Sequence, residues 1–148
     1  MLISQILRTK RPGVVVVSPD ASIRTAIAEM VRHHVGALVV VDDEDQQLMG
    51  VVSEREIIRN LDVEGPNLMS TVVRNVMRTD VPVARQEDTV RSVMEVMTAV
   101  RARHVPVVAY GRPIGIVSIG DIVKSRLDET LQENTVLKDI ARVHWLAG

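Results

Sequence analysis

Gly115-Ile116-Val117-Ser118-Ile119-Gly120-Asp121 is the stretch that decides the reading of this chain, because Gly50-Val51-Val52-Ser53-Glu54-Arg55-Glu56 is an altered copy of it. In both places an apolar run ends at a serine and a run of helical periodicity begins. That places a hydroxyl and a set of free backbone N–H groups at a helix N-terminus, an end that attracts anions. Ser followed three positions later by an acid is also the pattern of a capping box. Ser53 with Glu56 fits that pattern better than Ser118 with Asp121. The alternative is that the carboxylate accepts hydrogen bonds from a vicinal diol such as ribose, with the serine assisting; the two readings are compatible.

The duplication extends well beyond these motifs. Ala21-Ser22-Ile23 corresponds to Asp88-Thr89-Val90, and Gly36 to Val41 corresponds to Arg103 to Val108, each 67 positions apart. The serine motifs are 65 apart, because the second hairpin loop is two residues shorter. An internal repeat accounts for this regularity. Within the first copy, Val14 to Val17 reads as a strand, since four consecutive β-branched residues favour extended backbone. Ile23, Ala26, Ile27, Met30 and Val31 share one face of a helix ending near His33 or His34. Ala37 to Val41 and Leu48 to Val52 form a hairpin around an acidic loop, and a helix runs from Glu54 to about Leu61. The second copy predicts a strand at Val81 to Ala84, a helix from Thr89 to about Val100, strands at His104 to Val108 and Ile114 to Val117, and a helix from Ile119. Ile3, Ile6 and Leu7 predict a short lead-in helix. Leu127, Leu131, Leu137, Ile140 and Ala141, with Trp145 and Leu146, predict a helical extension at the end.

Composition narrows the function. A chain of 148 residues with 46% hydrophobic content can bury a core, and with no Phe, one Trp and one Tyr that core must be aliphatic. The same shortage argues against base-stacking recognition of nucleic acid. Lys and Arg number 18 against 19 Asp and Glu, so no uniform field draws the chain to nucleic acid or an anionic membrane. The absence of Cys excludes disulfides and thiolate chemistry. No apolar run reaches membrane-spanning length and the start does not read as a signal peptide, so a cytoplasmic protein is expected.

Candidate chemistry is sparse. Arg101, Arg103 and His104 precede a strand and are expected to gather near the Ser118 loop as a phosphate clamp, with Arg55 serving the first copy. Solvated charge at a helix-to-strand turn is the plainer alternative. The four histidines make no metal site, and the Asp42 to Asp45 loop lacks the ligand pattern of a calcium loop. Ser118, His104 and Asp121 do not read as a catalytic triad, since no Gly-x-Ser-x-Gly elbow surrounds Ser118. No catalytic residue and no metal ligand is assigned.

The duplicated unit, Arg103-His104-Val105-Pro106-Val107 and the twofold Gly-hydrophobic-x-Ser-x-x-acid pattern resemble a pair of cystathionine β-synthase (CBS) domains over roughly residues 7 to 127. The resemblance implies an α/β (α+β) fold of two tandem β-α-β-β-α repeats with pseudo-twofold symmetry, residues 7–65 and 66–127, followed by the extension at 128–148. It implies pairing with a second copy into a flat disc-shaped homodimer. It also implies binding of adenosine-containing ligands, AMP, ADP, ATP or S-adenosylmethionine and sometimes NAD-type molecules, in clefts between the repeats, with no obligatory cofactor. Carried over by position, Asp121 would bind the ribose hydroxyls and Ser118 would lie beside ribose and phosphate. Val105, Pro106 and Val81 would border the adenine, and Arg103 and His104 would face phosphate. Ser53 and Arg55 match in the first copy, but Glu56 stands where Asp is usual, and its extra methylene pushes the carboxylate into the ribose space, so the second site is expected to bind more tightly. The function implied is a non-catalytic regulatory sensor read by another protein or by the dimer itself. The alternative is an interaction scaffold whose pockets are vestigial.

Overall fold

The computed structural model describes residues 1–133. Helix α1 spans Ile3–Thr9, and the first repeat follows as β1 (Val16–Val17), α2 (Ile23–His33), β2 (Ala37–Val41), β3 (Leu48–Ser53) and α3 (Glu54–Glu64). Two 3-10 segments, Gly65–Ser70 and Val73–Asn75, lead to the second repeat: α4 (Val90–Val100), β4 (His104–Ala109), β5 (Arg112–Ser118) and α5 (Ile119–Glu133). Leu137, Ile140, Ala141, Trp145 and Leu146 of the expected extension lie outside the described residues.

The repeat is visible in detail. Ser22 accepts a hydrogen bond from the Thr25 N–H and Thr89 one from the Ser92 N–H, so the same cap starts α2 and α4. His34 and Arg101 end those helices at φ 55°, both left-handed without being glycine. Antiparallel β2–β3 and β4–β5 each shift register at the equivalent place, between Val40 and Val41 and between Val107 and Val108. β1 adds to β2 in parallel, with Val16 opposite Val39.

Both lead-in strands are shorter than expected. Only Val16 and Val17 join the sheet, although the Val15 carbonyl still accepts from the Val39 N–H. In place of a strand at Val81 to Ala84 there is one parallel bridge, Ala84 to Val107. Pro82 explains the loss: it has no N–H to give a ladder and fixes φ.

Two aliphatic cores result, and each is completed by a segment from the other side of the chain. Leu38, Val40, Val52 and Ile57 of the first repeat pack with Leu68, Val73 and Val76 of the linker. Val105, Val107, Val117 and Ile122 of the second pack with Ile3 and Ile6 of α1. Fully buried side chains of this kind contribute about 1.5–3 kcal/mol each. The backbone fixes the exchange: the Ile3 N–H donates to the Asp88 carbonyl at 2.9 Å, and the Ile23 N–H to the Thr71 carbonyl at 2.8 Å. Lys10, just after α1, therefore bonds the serine motif of the second repeat, and Arg78, just after the linker, bonds that of the first.

Candidate functional site: two cavities between the repeats

Ser118 ends β5 and Asp121 stands in the first turn of α5. The Ser118 N–H donates to Asp121 Oδ2 at 2.9 Å, and the Asp121 N–H donates to Ser118 Oγ at 3.1 Å, a reciprocal box. Lys10 adds a third contact, its ammonium donating to the same Oδ2 at 2.7 Å and to the Ile116 carbonyl at 2.6 Å. Oδ1 has no hydrogen-bond donor among the described residues. Burial pushes the Asp121 carboxyl up, but the bonds from Lys10 and Ser118 outweigh it and hold the carboxyl below the usual aspartate value. A cavity of about 900 Å³ opens here, lined by Lys10, Val15, His33, Ile116 and Asp121 among others. That volume lies in the range of small-molecule sites.

The equivalent turn in the first repeat is built differently. The Ser53 hydroxyl bonds the Glu56 carboxylate directly and makes no side-chain cap for α3. The expectation that Ser53 and Glu56 form the better capping box is thus reversed: the longer glutamate reaches the hydroxyl itself, whereas Asp121 reaches the backbone. A second cavity, about 560 Å³, holds Ser53, Arg55, Glu56, Val81, Arg103 and His104 together. Arg59, Arg78 and Arg101 complete a strongly cationic rim.

The structure therefore divides the residues singled out from the sequence. Arg103 and His104 do not accompany Asp121 in its cavity; they line the Glu56 cavity with Val81. Their backbone still adjoins the Ser118 turn, since His104 pairs with Ser118 and the Arg103 carbonyl accepts from the Ile119 N–H at 3.0 Å. Val105 and Pro106 are buried within β4 and line neither cavity, and the Pro106 carbonyl is already taken by the Ala84 N–H. Lys10 and Arg78 were not legible as site residues. Lys10 meets Asp121 across 111 positions of sequence, so no local spacing reports it. Among the described residues no cluster of His, Asp or Glu could hold a metal ion, and no helix is long and apolar enough to cross a membrane.

His104 lines the Glu56 cavity and feels the charges of both serine turns. Burial lowers its pKa; Glu56 and Glu54 oppose that without cancelling it, Lys10 adds to the lowering, and Asp121 opposes it weakly. The sign of the pH dependence follows. The unfolded chain takes up this proton near the ordinary value of 6.5, while the folded chain resists to lower pH. Stability from this group is complete above that value and declines as the pH falls toward the folded pKa. His104→Gln is expected to flatten the stability profile between pH 7 and 5 in urea titrations, by a slope of at most about 1.4 kcal/mol per pH unit. An unchanged difference between wild type and variant across that range would refute the assignment.

A β-α-β-β-α unit repeated with exchanged lead-in segments, with a cavity at each Ser-x-x-acid turn, is the architecture of a CBS pair. Residues 3–63 and 73–128 each match the family model of the CBS domain, and the chain belongs to that family. It is 38% identical over 117 residues to the CBS domain-containing protein CBSX3, mitochondrial, of Arabidopsis thaliana, covering 77% of this chain and 57% of that protein. The chain thus spans little more than half the length of that relative. Among solved structures, the CBS-domain containing protein ATU1752 from Agrobacterium tumefaciens superposes with a TM-score of 0.79 at 37% identity, covering 84% of this chain and 92% of the other. CBSX2 in complex with AMP gives 0.70 at 26%, covering 87% and 98%. The CBS domain pair of protein MJ0100 in complex with 5′-methylthioadenosine and S-adenosyl-L-methionine gives 0.75 at 25%, covering 87% and 98%.

Proposed function

We propose that this chain is a non-catalytic regulatory module that binds adenosine-containing nucleotides, of the AMP, ADP or ATP class, between its repeats. The observation that carries the reading is the Asp121 turn: a carboxylate fixed by its own helix cap, with one oxygen open to donors, beside a cavity large enough for a nucleotide. Support comes from the two similar structures holding AMP and 5′-methylthioadenosine with S-adenosyl-L-methionine, whose shared part is adenosine. In the second cavity the arginine rim with His104 suits phosphate, while the longer Glu56 occupies the Ser53 hydroxyl that would otherwise assist a ribose. The Asp121 cavity is therefore the stronger site.

The signal would run through assembly. The corresponding helices α3 and α5 each expose apolar side chains, Ile58 and Leu61 on one and Ile119, Val123 and Leu127, four apart, on the other. A duplicated chain that offers such faces from both repeats is suited to an isologous contact with a second copy. Ligand bound between the repeats changes their relative geometry, and so the dimer or whatever effector protein reads it. A scaffold reading has one observation in its favour: both acidic residues already have partners within the chain, Glu56 in Ser53 and Asp121 in Lys10 and Ser118.

Calorimetric titration with AMP, ADP, ATP, S-adenosylmethionine and NADH separates the readings, with sedimentation velocity before and after ligand. Saturable binding at one or two sites per chain, on a particle of twice the 16.4 kDa chain mass, is expected. Absence of heat with every ligand at millimolar concentration, with no rise in melting temperature, would leave the scaffold.

A further inference from the structure

We propose that Lys10 sets the ligand specificity of the Asp121 cavity, admitting adenosine ligands with an anionic 5′ substituent and disfavouring neutral and cationic ones. The proposal rests on the reading of that cavity as an adenosine site. Asp121 is already in use: Oδ2 receives both the Lys10 ammonium and the Ser118 N–H. A ribose diol brings two hydroxyl donors: one can take the open Oδ1, and the other competes with Lys10 for Oδ2. Where it wins Oδ2, Lys10 keeps only the Ile116 carbonyl, which is neutral. The side chains of Lys10 and Asp121 are 31% and 23% exposed, so the ammonium left behind is only partly hydrated. An unpaired, half-buried charge is costly.

The substituent at the 5′ position decides whether that cost is met. A phosphate supplies a new anion within the same cavity, and the flexible four-carbon stem of a lysine lets its ammonium move to it. A plain nucleoside offers no such partner, and a sulfonium adds a second positive charge beside the first. The rest of the lining points the same way. Arg11 and Lys124 also border the cavity, while Glu29 on the acidic side is already bonded to Arg32 at 3.1 Å and His33 at 3.3 Å. Asp128 is the remaining carboxylate there and is exposed. The Glu56 cavity has no lysine on its acid, so the device belongs to the Asp121 side alone.

The test must read this cavity separately from its neighbour, which an NMR titration does by following the amides of Ile116, Asp121 and Lys124, residues that line this cavity and not the other. In the wild type AMP should bind about tenfold or more tighter than adenosine, the scale of a charged hydrogen bond, with S-adenosylmethionine no tighter than adenosine. Lys10→Met should bring AMP and adenosine to within about twofold of each other, by loss of that charged bond. Lys10→Arg should keep the preference, and melting curves of both variants establish that they fold. A wild type that does not distinguish adenosine from AMP, or a Lys10→Met variant that keeps the full preference, overturns the proposal and leaves the adenosine site standing. If no adenosine ligand moves these amides in any of the proteins, the proposal and the adenosine site fall together.

Discussion

Asp121→Asn is expected to lower affinity for AMP at the α5 cavity by about a hundredfold, the scale of losing charged hydrogen bonds, while leaving the chain folded. The substitution separates two duties of one side chain. As a capping group, Asn still offers an oxygen to the Ser118 N–H, and its own N–H still reaches Ser118 Oγ, so the turn into α5 persists. As an anion it is lost, and with it the ion pair to Lys10. Because that pair is partly exposed, its removal should cost only about 1 kcal/mol of stability. Binding is different, since a neutral amide presents one acceptor where a carboxylate presents two and lacks the charge that strengthens bonds from a diol. Calorimetry paired with urea unfolding reads both quantities on one protein. An Asp121→Asn variant that binds AMP as the wild type does would show that the carboxylate serves the helix alone, and the proposed function would lose the observation on which it stands.

The matching change at Glu56 should do less, because the longer side chain there occupies the serine hydroxyl of its own site. The contrast marks how far the sequence could be read. Its periodicity located α2 and α4, and the pairs Ser22 with Thr89 and Ser53 with Ser118 placed the turns in register, because caps and apolar stripes depend on residues within a few positions of each other. The exchange of lead-in segments depends on contacts between residues far apart, such as Ile3 with Asp88, and no local pattern encodes it. The partition of the cavities follows from that exchange. Lys10 is a turn residue in the sequence and becomes the partner of Asp121 only when α1 packs on the second core. Arg103 and His104 adjoin the Ser118 turn through their backbones alone and line the other cavity. Strand rules gave Val81 to Ala84 more regularity than it has, because propensity weighed the valines and not the missing N–H of Pro82.

The largest loss of stability should come from a single methyl group at Gly50. A Cβ there would stand 2.5 Å from the Arg78 carbonyl oxygen and 3.3 Å from its carbon, contacts that backbone cannot evade by changing rotamer. Nor can the segment step aside. The Val51 N–H donates to the Arg78 carbonyl at 3.0 Å and the Arg78 N–H to the Val51 carbonyl at 2.8 Å, so relieving the clash breaks a paired bridge. Gly50→Ala should cost about 2–3 kcal/mol by overpacking, read as a fall in melting temperature of about 5–10 °C. Gly115 occupies the equivalent position in the second repeat but meets a different neighbour. Its nearest atoms all belong to the Leu7 side chain, the closest at 2.7 Å, and that chain end can rotate away. Gly115→Ala should therefore cost about 1 kcal/mol or less, the range of a substitution its surroundings can accommodate. The two changes should also part in function. Arg78 and Val81 border the Glu56 cavity, so displacing this segment should weaken ligand binding there and spare the Asp121 cavity. Equal losses of stability from the two alanines would mean that the linker yields as readily as a leucine side chain. The close seat of Arg78 on β3 would then not be what holds the second repeat's lead-in against the first.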